Sequence, residues 1–187
     1  VLTLLNNVKS GVVCLDLMVL HMACASRYMR RTTRRWTGHP IRMVFVSLTR
    51  LRIRSIRFLP LFAVQTTRSL RQVEVAPGFL EGALLPDRNW TYWTMTAWDC
   101  EESMRQYMIT GSHKLVMPRL QHWCDEASVV HWLRPDATLP SWTEADRRMR
   151  ESGRPSKVRS PSPQHASLTY EVPRTTGSVP IGSNRRR

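Results

Sequence analysis

No stretch of this sequence is both long enough and apolar enough to cross a bilayer. The best of them, GVVCLDLMVLHMACA (residues 11–25), carries an Asp and a His and is shorter than the roughly 18 residues a span requires. The four cysteines (Cys14, Cys24, Cys100, Cys124) form no CxxC pair, which argues against a metal ribbon. A chain of 187 residues with 42% hydrophobic content can build a core without a disulfide framework. Reduced thiols and a cytoplasmic location are the expectation. Acid is also scarce, with 14 Asp and Glu against 28 Lys and Arg. The surplus lies mostly in the flanks: residues 1–40 carry +5, 41–134 carry +4 and 135–187 carry +5. Basic flanks can neutralise phosphates. With no helix-turn-helix, zinc-finger or RNP-type motif beside them, they read as solvated tails, and nucleic acid is not the expected partner.

Residues 11–25 have the composition of a signal h-region ending in ACA, but the basic cluster RYMRRTTRRW follows them and only Lys9 precedes. The sequence starts at Val1, and Met22, Met29 and Met43 lie downstream. Residues 1–40 are therefore expected to be an unstructured or mis-called extension, with the true product beginning near Met22 or later.

From Met43 the pattern changes. MVFVSLTRLRI alternates as a strand with at least one buried face. A helix is predicted over 59–75, with Pro60 in its first turn, Phe62, Gln65, Thr66 and Ser69 along one side, and Pro77-Gly78 as its stop. FLEGALL (79–85) is a second strand in which Gly82 marks a bulge or a close approach. PDRN (86–89) is a turn, and WTYWTMTAW (90–98) is the strongest strand signal in the chain. Trp90, Tyr92, Thr94, Thr96 and Trp98 share one face of it; Thr91, Trp93, Met95 and Ala97 share the other. Asp99 and Glu102 have capping-box spacing, and Met104, Tyr107 and Met108 give a helix over 100–110. Gly111 breaks it, and a further helical piece runs to Trp123 with Pro118 expected to kink or restart it. EASVVHWL (126–133) closes the series as a strand preceded by an acidic turn at Asp125-Glu126.

The order βαββαβ over about ninety residues is the ferredoxin-like α+β arrangement. The domain is expected at 41–134, followed by a linker and short helix over 135–153 (Ser141 and Glu144 cap it, Gly153 ends it). The Ser-, Pro- and Arg-rich residues 154–187 lack an apolar period and are expected to be a disordered basic tail. Because strand 90–98 carries Trp on both faces and Met on one, neither face suits water. A second copy is expected to cover the face left by the helices, giving a homodimer.

The stretch RNWTYWTMTAWDCEESMRQYMITGSHKLVMPRL resembles the antibiotic-biosynthesis-monooxygenase-like group of dimeric α+β barrels. Within that group it looks closest to members related to spheroidene monooxygenase. The resemblance rests on a strand ending in TAW, an acidic helix cap, the MRQYM helix, TGSH and MPRL, and covers about 41–133. It implies a ferredoxin-like unit whose sheet pairs with that of a second chain. It also implies a monooxygenase-like oxidoreductase acting on an apolar small molecule in the sheet–helix cleft, with haem as a candidate cofactor. Related barrels include cofactor-free oxygenases, haem-degrading enzymes, dehydratases and proteins without known activity, so a non-catalytic ligand-binding or structural dimer stays open beside the enzyme.

Among individual residues, His113 shares an apolar helical side with Val116, Met117 and Leu120. It is a candidate acid–base or haem ligand, or else a satisfied core or cap histidine. The TGSH resemblance favours the functional role. Trp93, Met95, Trp98, Tyr107 and Met117 are the candidate substrate- or cofactor-binding residues, because aromatic walls with few polar groups suit an apolar ligand; the competing role is sheet core. His122 reads as a surface side chain and His131 as a half-buried strand residue with one hydrogen bond. The three histidines are spaced nine and nine, which is not metal-site spacing, so no metal is expected. Cys124, followed by two acids, reads as packing. Arg50, Arg52 and Arg54 share a strand face, either protecting an edge or holding carboxylates such as haem propionates.

Overall fold

The computed structural model describes residues 43–136 and 138–182, all within one compact unit. The reading of residues 1–40 lies outside the described residues. Strand β1 (Val44–Ile53) leads through a 3-10 turn (Ile56–Phe58) into α1 (Leu59–Glu74), with Pro60 in the first turn. Strands β2 (Phe79–Pro86) and β3 (Thr91–Trp98) form a hairpin around Arg88–Trp90, where Asn89 and Trp90 both take left-handed backbone. Then come α2 (Glu101–Met108), α3 (Gly111–Trp123) and β4 (Cys124–Arg134). The central strands lie in the order β4-β1-β3-β2, all antiparallel, which is the ferredoxin-like α+β order.

Local chemistry departs from expectation in three places. Helix α2 starts one residue later than the capping-box pattern places it, with Cys100 rather than Asp99 at its N-cap and no side-chain cap bond. Helix α3 runs through Pro118 unbroken. Asp125 and Glu126 are not a turn but the first residues of β4 after Cys124, where their carboxylates pair with β1 across the ladder. Gly82, expected as a bulge or a close approach, is the close approach: a Cβ there would sit 3.0 Å from the Met95 carbonyl.

The largest departure is at the carboxy-terminal end. Helices α1, α2 and α3 cover one sheet face. The other is covered by the chain itself, through α4 (Trp142–Ser152), not left for a second copy. Trp142, Ala145 and Met149 of α4 pack on Val46, Leu48, Trp93 and Met95. Ser141 caps α4 by accepting from the Glu144 N–H. Residues 154–182, expected to be disordered, lie against the body instead. β5 (Arg154–Pro155) adds to β4 and β6 (Val179–Ile181) adds to β2, so both edges of the sheet gain a strand. Between them the Tyr170 ring stands over Trp93 and lies between the Arg50 and Arg150 guanidiniums, at 4.3 and 4.2 Å. Edge pairing and cation–π contacts hold this segment without needing a periodic apolar face. None of the described helices is long and apolar enough to cross a membrane.

Candidate functional site

Between the helical layer and the sheet lies a cleft of about 400 Å³. Its floor is laid by strand alternation. One register row sets His131, Ser47, Thr96 and Gly82 side by side, and the next sets Val129, Thr49, Thr94 and Leu84. The roof comes from helical spacing: Phe62, Gln65, Thr66 and Ser69 of α1, and His113, Val116, Met117 and Leu120 of α3, all line the cleft. Trp98 and Tyr107 close one end, with ring centroids 5.4 Å apart, and the Tyr107 ring lies 4.6 Å from His113.

This end is held by a small polar lattice. The Trp98 indole N–H donates to Thr96 Oγ1 at 2.9 Å, and the Tyr107 hydroxyl donates to the Ser69 carbonyl at 3.3 Å. Gln72 of α1 is the tie between helices. Its Nε2 donates to the Tyr107 and Thr110 carbonyls at 3.3 and 3.1 Å, and its Oε1 accepts from the His113 backbone N–H at 3.0 Å. Gly111 makes this possible. It has φ of +53°, and a Cβ there would meet the Gln72 amide at 2.7 Å. The TGSH motif is therefore a corner that closes on Gln72 and aims His113 at the cleft.

His113 Nδ1 sits 3.3 Å from the Met108 carbonyl. A carbonyl only accepts, so Nδ1 carries the proton and Nε2 keeps a lone pair in the neutral ring. Burial pushes the imidazole pKa below its ordinary value, against the smaller opposing effect of the Met108 bond. His131 is lowered as well, first by burial and next by Arg154. Its Nε2 is buried without a hydrogen-bond partner, as is Ser69 Oγ, and both residues line the cleft. The expected single hydrogen bond of His131 is thus not made by its Nε2. Burial, the larger effect, together with Asp125 pushes the Cys124 thiol up to about 12, which suits packing and not nucleophilic chemistry.

Of the residues named from sequence, His113, Trp98, Tyr107 and Met117 come together here. Trp93 and Met95 do not. They point to the opposite sheet face, fully buried under α4, because alternate strand residues face opposite ways. His122 lies outside the cleft, edge-on to Phe58. His131, Gln72 and the Ser/Thr floor were missed as site residues. The alternation of His131 with Val129 held the signal for the first; Gln72 gave no local signal.

Arg50 and Arg52 also face away from the cleft. Arg50 Nη1 lies 2.6 Å from Glu126, and Arg52 holds Asp125 at 2.9 Å and Glu126 at 2.8 Å. β1 is a central strand, so these arginines guard no edge. Among the described residues Lys157 is the one Lys or Arg lining the cleft. A haem needs partners for two propionates, and the cleft does not fit one. Among the described residues no group of three His, Cys, Asp or Glu side chains is placed to hold a metal ion.

The family model of a domain of unknown function, DUF3291, matches residues 65–158. No curated protein matches the chain significantly. Several solved structures are similar. One is a protein of unknown function from Nitrosomonas europaea, 14% identical, covering 56% of this chain and 99% of its own, with a TM-score of 0.45. A second, from the same organism, is assigned provisionally as an antibiotic biosynthesis monooxygenase: 14% identical, 53% and 93% covered, TM-score 0.41. A third is SnoaB of Streptomyces nogalater, a cofactor-independent oxygenase: 18% identical, 52% and 93% covered, TM-score 0.36. At these identities and scores the likenesses carry no functional argument.

Proposed function

The chain belongs to the DUF3291 family, and from that premise we propose that it is a monooxygenase-like oxidoreductase acting on a mostly apolar small molecule held in the sheet–helix cleft. The observation that carries this reading is His113: a half-buried, neutral imidazole with a free Nε2 lone pair, lining a cleft of about 400 Å³. A neutral imidazole takes a proton from an acidic C–H or O–H of a bound molecule. The resulting electron-rich anion reduces dioxygen. One oxygen atom enters the molecule and the other leaves as water, so that a methylene becomes a carbonyl and loses both hydrogens. Trp98 and Tyr107 hold the molecule, and the floor hydroxyls of Thr49 and Thr94 offer it hydrogen bonds. No haem takes part.

The test is to extract the small molecule that copurifies with the protein and return it under an oxygen electrode. Uptake of oxygen by the native chain, with loss of uptake but retained binding in His113→Gln, supports the reading. Binding without uptake in the native chain leaves the second reading, a ligand-binding protein without turnover. That reading is favoured by a cleft lining that holds no carboxylate or cysteine among the described residues. A homodimer paired through the second sheet face would require α4 and Tyr170 to lift away.

A further inference from the structure

The cleft has unlike ends. At one end Trp98, Tyr107 and His113 make an aromatic wall. At the other, the carboxy-terminal segment crosses the mouth. The Ser156 N–H donates to the Ala127 carbonyl at 2.8 Å and the Arg159 N–H to the Gln121 carbonyl at 2.7 Å, which pins Lys157 between α3 and β4. Lys157 lines the cleft, is exposed, and makes no ion pair or hydrogen bond among the described residues. Among the described residues no Asp or Glu lines the cleft. The register row of Trp98 and Phe45 is six residues along β1 from the row of Leu51 and Ala127, a span of roughly 20 Å at the rise of a strand.

We propose that the occupant of the cleft is an elongated amphiphile: an apolar body of up to about 20 Å with one acidic group, a carboxylate or an ionised phenol, held at Lys157. An unpaired cation at the mouth of a cleft without carboxylates attracts an anion and repels none. It orients the molecule as well. With the acid at Lys157, the far end of the body lies against Trp98 and Tyr107, beside His113. This inference rests on the cleft being a small-molecule site, but not on turnover.

The test displaces a neutral apolar fluorophore, N-phenyl-1-naphthylamine, from the full chain with a straight-chain fatty acid and with the primary alcohol of equal length. The acid should displace about fivefold better, the upper end for one solvent-facing ion pair, and the advantage should shrink in 1 M salt. Lys157→Met should abolish the advantage of the acid over the alcohol, and Lys157→Glu should reverse their order. Equal displacement by acid and alcohol in the native chain, or a preference that survives in Lys157→Met, overturns the proposal while leaving the cleft as a binding site. If the dye does not bind, or neither compound displaces it, the cleft reading fails and this inference fails with it.

Discussion

Replacing Met149 by Ala removes the centre of the layer that closes the second sheet face. Met149 is fully buried, in one cluster with Val46, Leu48, Trp93 and Met95. The void has little freedom to collapse. The sheet floor is a hydrogen-bonded ladder, and Gly153 already sits so close that a Cβ there would be 2.7 Å from the Met149 sulfur. Met→Ala in a core costs about 2–5 kcal/mol, and a site that relaxes poorly belongs in the upper half, about 3–5 kcal/mol. At roughly 3 °C per kcal/mol for a domain of this size, the melting temperature should fall by about 10 °C. Circular dichroism melts at two protein concentrations a hundredfold apart provide the assay. A drop of less than about 2 °C would refute the packing argument. So would a melting temperature that climbs with concentration in the variant, because a second copy would then be taking the place of α4.

Other perturbations follow from the same geometry. Glu126→Gln should strand the buried Arg50 and destabilise the fold by about 3–5 kcal/mol, read by urea unfolding; a loss under 1 kcal/mol would mean that Arg50 finds water. His113 and His131 both have pKa values lowered by burial, so below about 6.5 the unfolded chain binds more protons than the folded one. Stability is then fully present above that pH and falls as pH drops through the window beneath it. Melting curves from pH 7.5 to 5 should show this loss, and His113→Gln should reduce it. With its thiol held up at about 12, Cys124 should resist alkylation at pH 8 in the folded chain and react in urea, while the half-buried Cys100 reacts in both, as peptide mapping by mass would show.

Much of the cleft was legible in the sequence because its parts are local. Helical spacing put Phe62, Gln65, Thr66 and Ser69 on one side of α1, and His113, Val116, Met117 and Leu120 on one side of α3; all eight line the cleft. Alternation separated Trp98 from Trp93, but a period of two does not say which face meets the helices. That is decided by what covers the other face, and α4 and Tyr170 lie some fifty and eighty residues downstream of β3. The same distance hid the pairing of Arg50 and Arg52 with Glu126 and Asp125, and the tie made by Gln72 to residues 35 and more positions away. Residues 154–182 read as disordered because edge pairing and a ring held between two guanidiniums leave no periodic trace.

The central claim is that the sheet–helix cleft holds an apolar small molecule. Thr49 lies at the middle of its floor, so Thr49→Phe fills the cleft while keeping a residue that strands favour. Titrating N-phenyl-1-naphthylamine into the native chain and into Thr49→Phe tests the claim directly. A saturable rise in fluorescence with the native chain, lost in a variant that melts normally, is the predicted result. Equal binding by both proteins, or by neither, would contradict it.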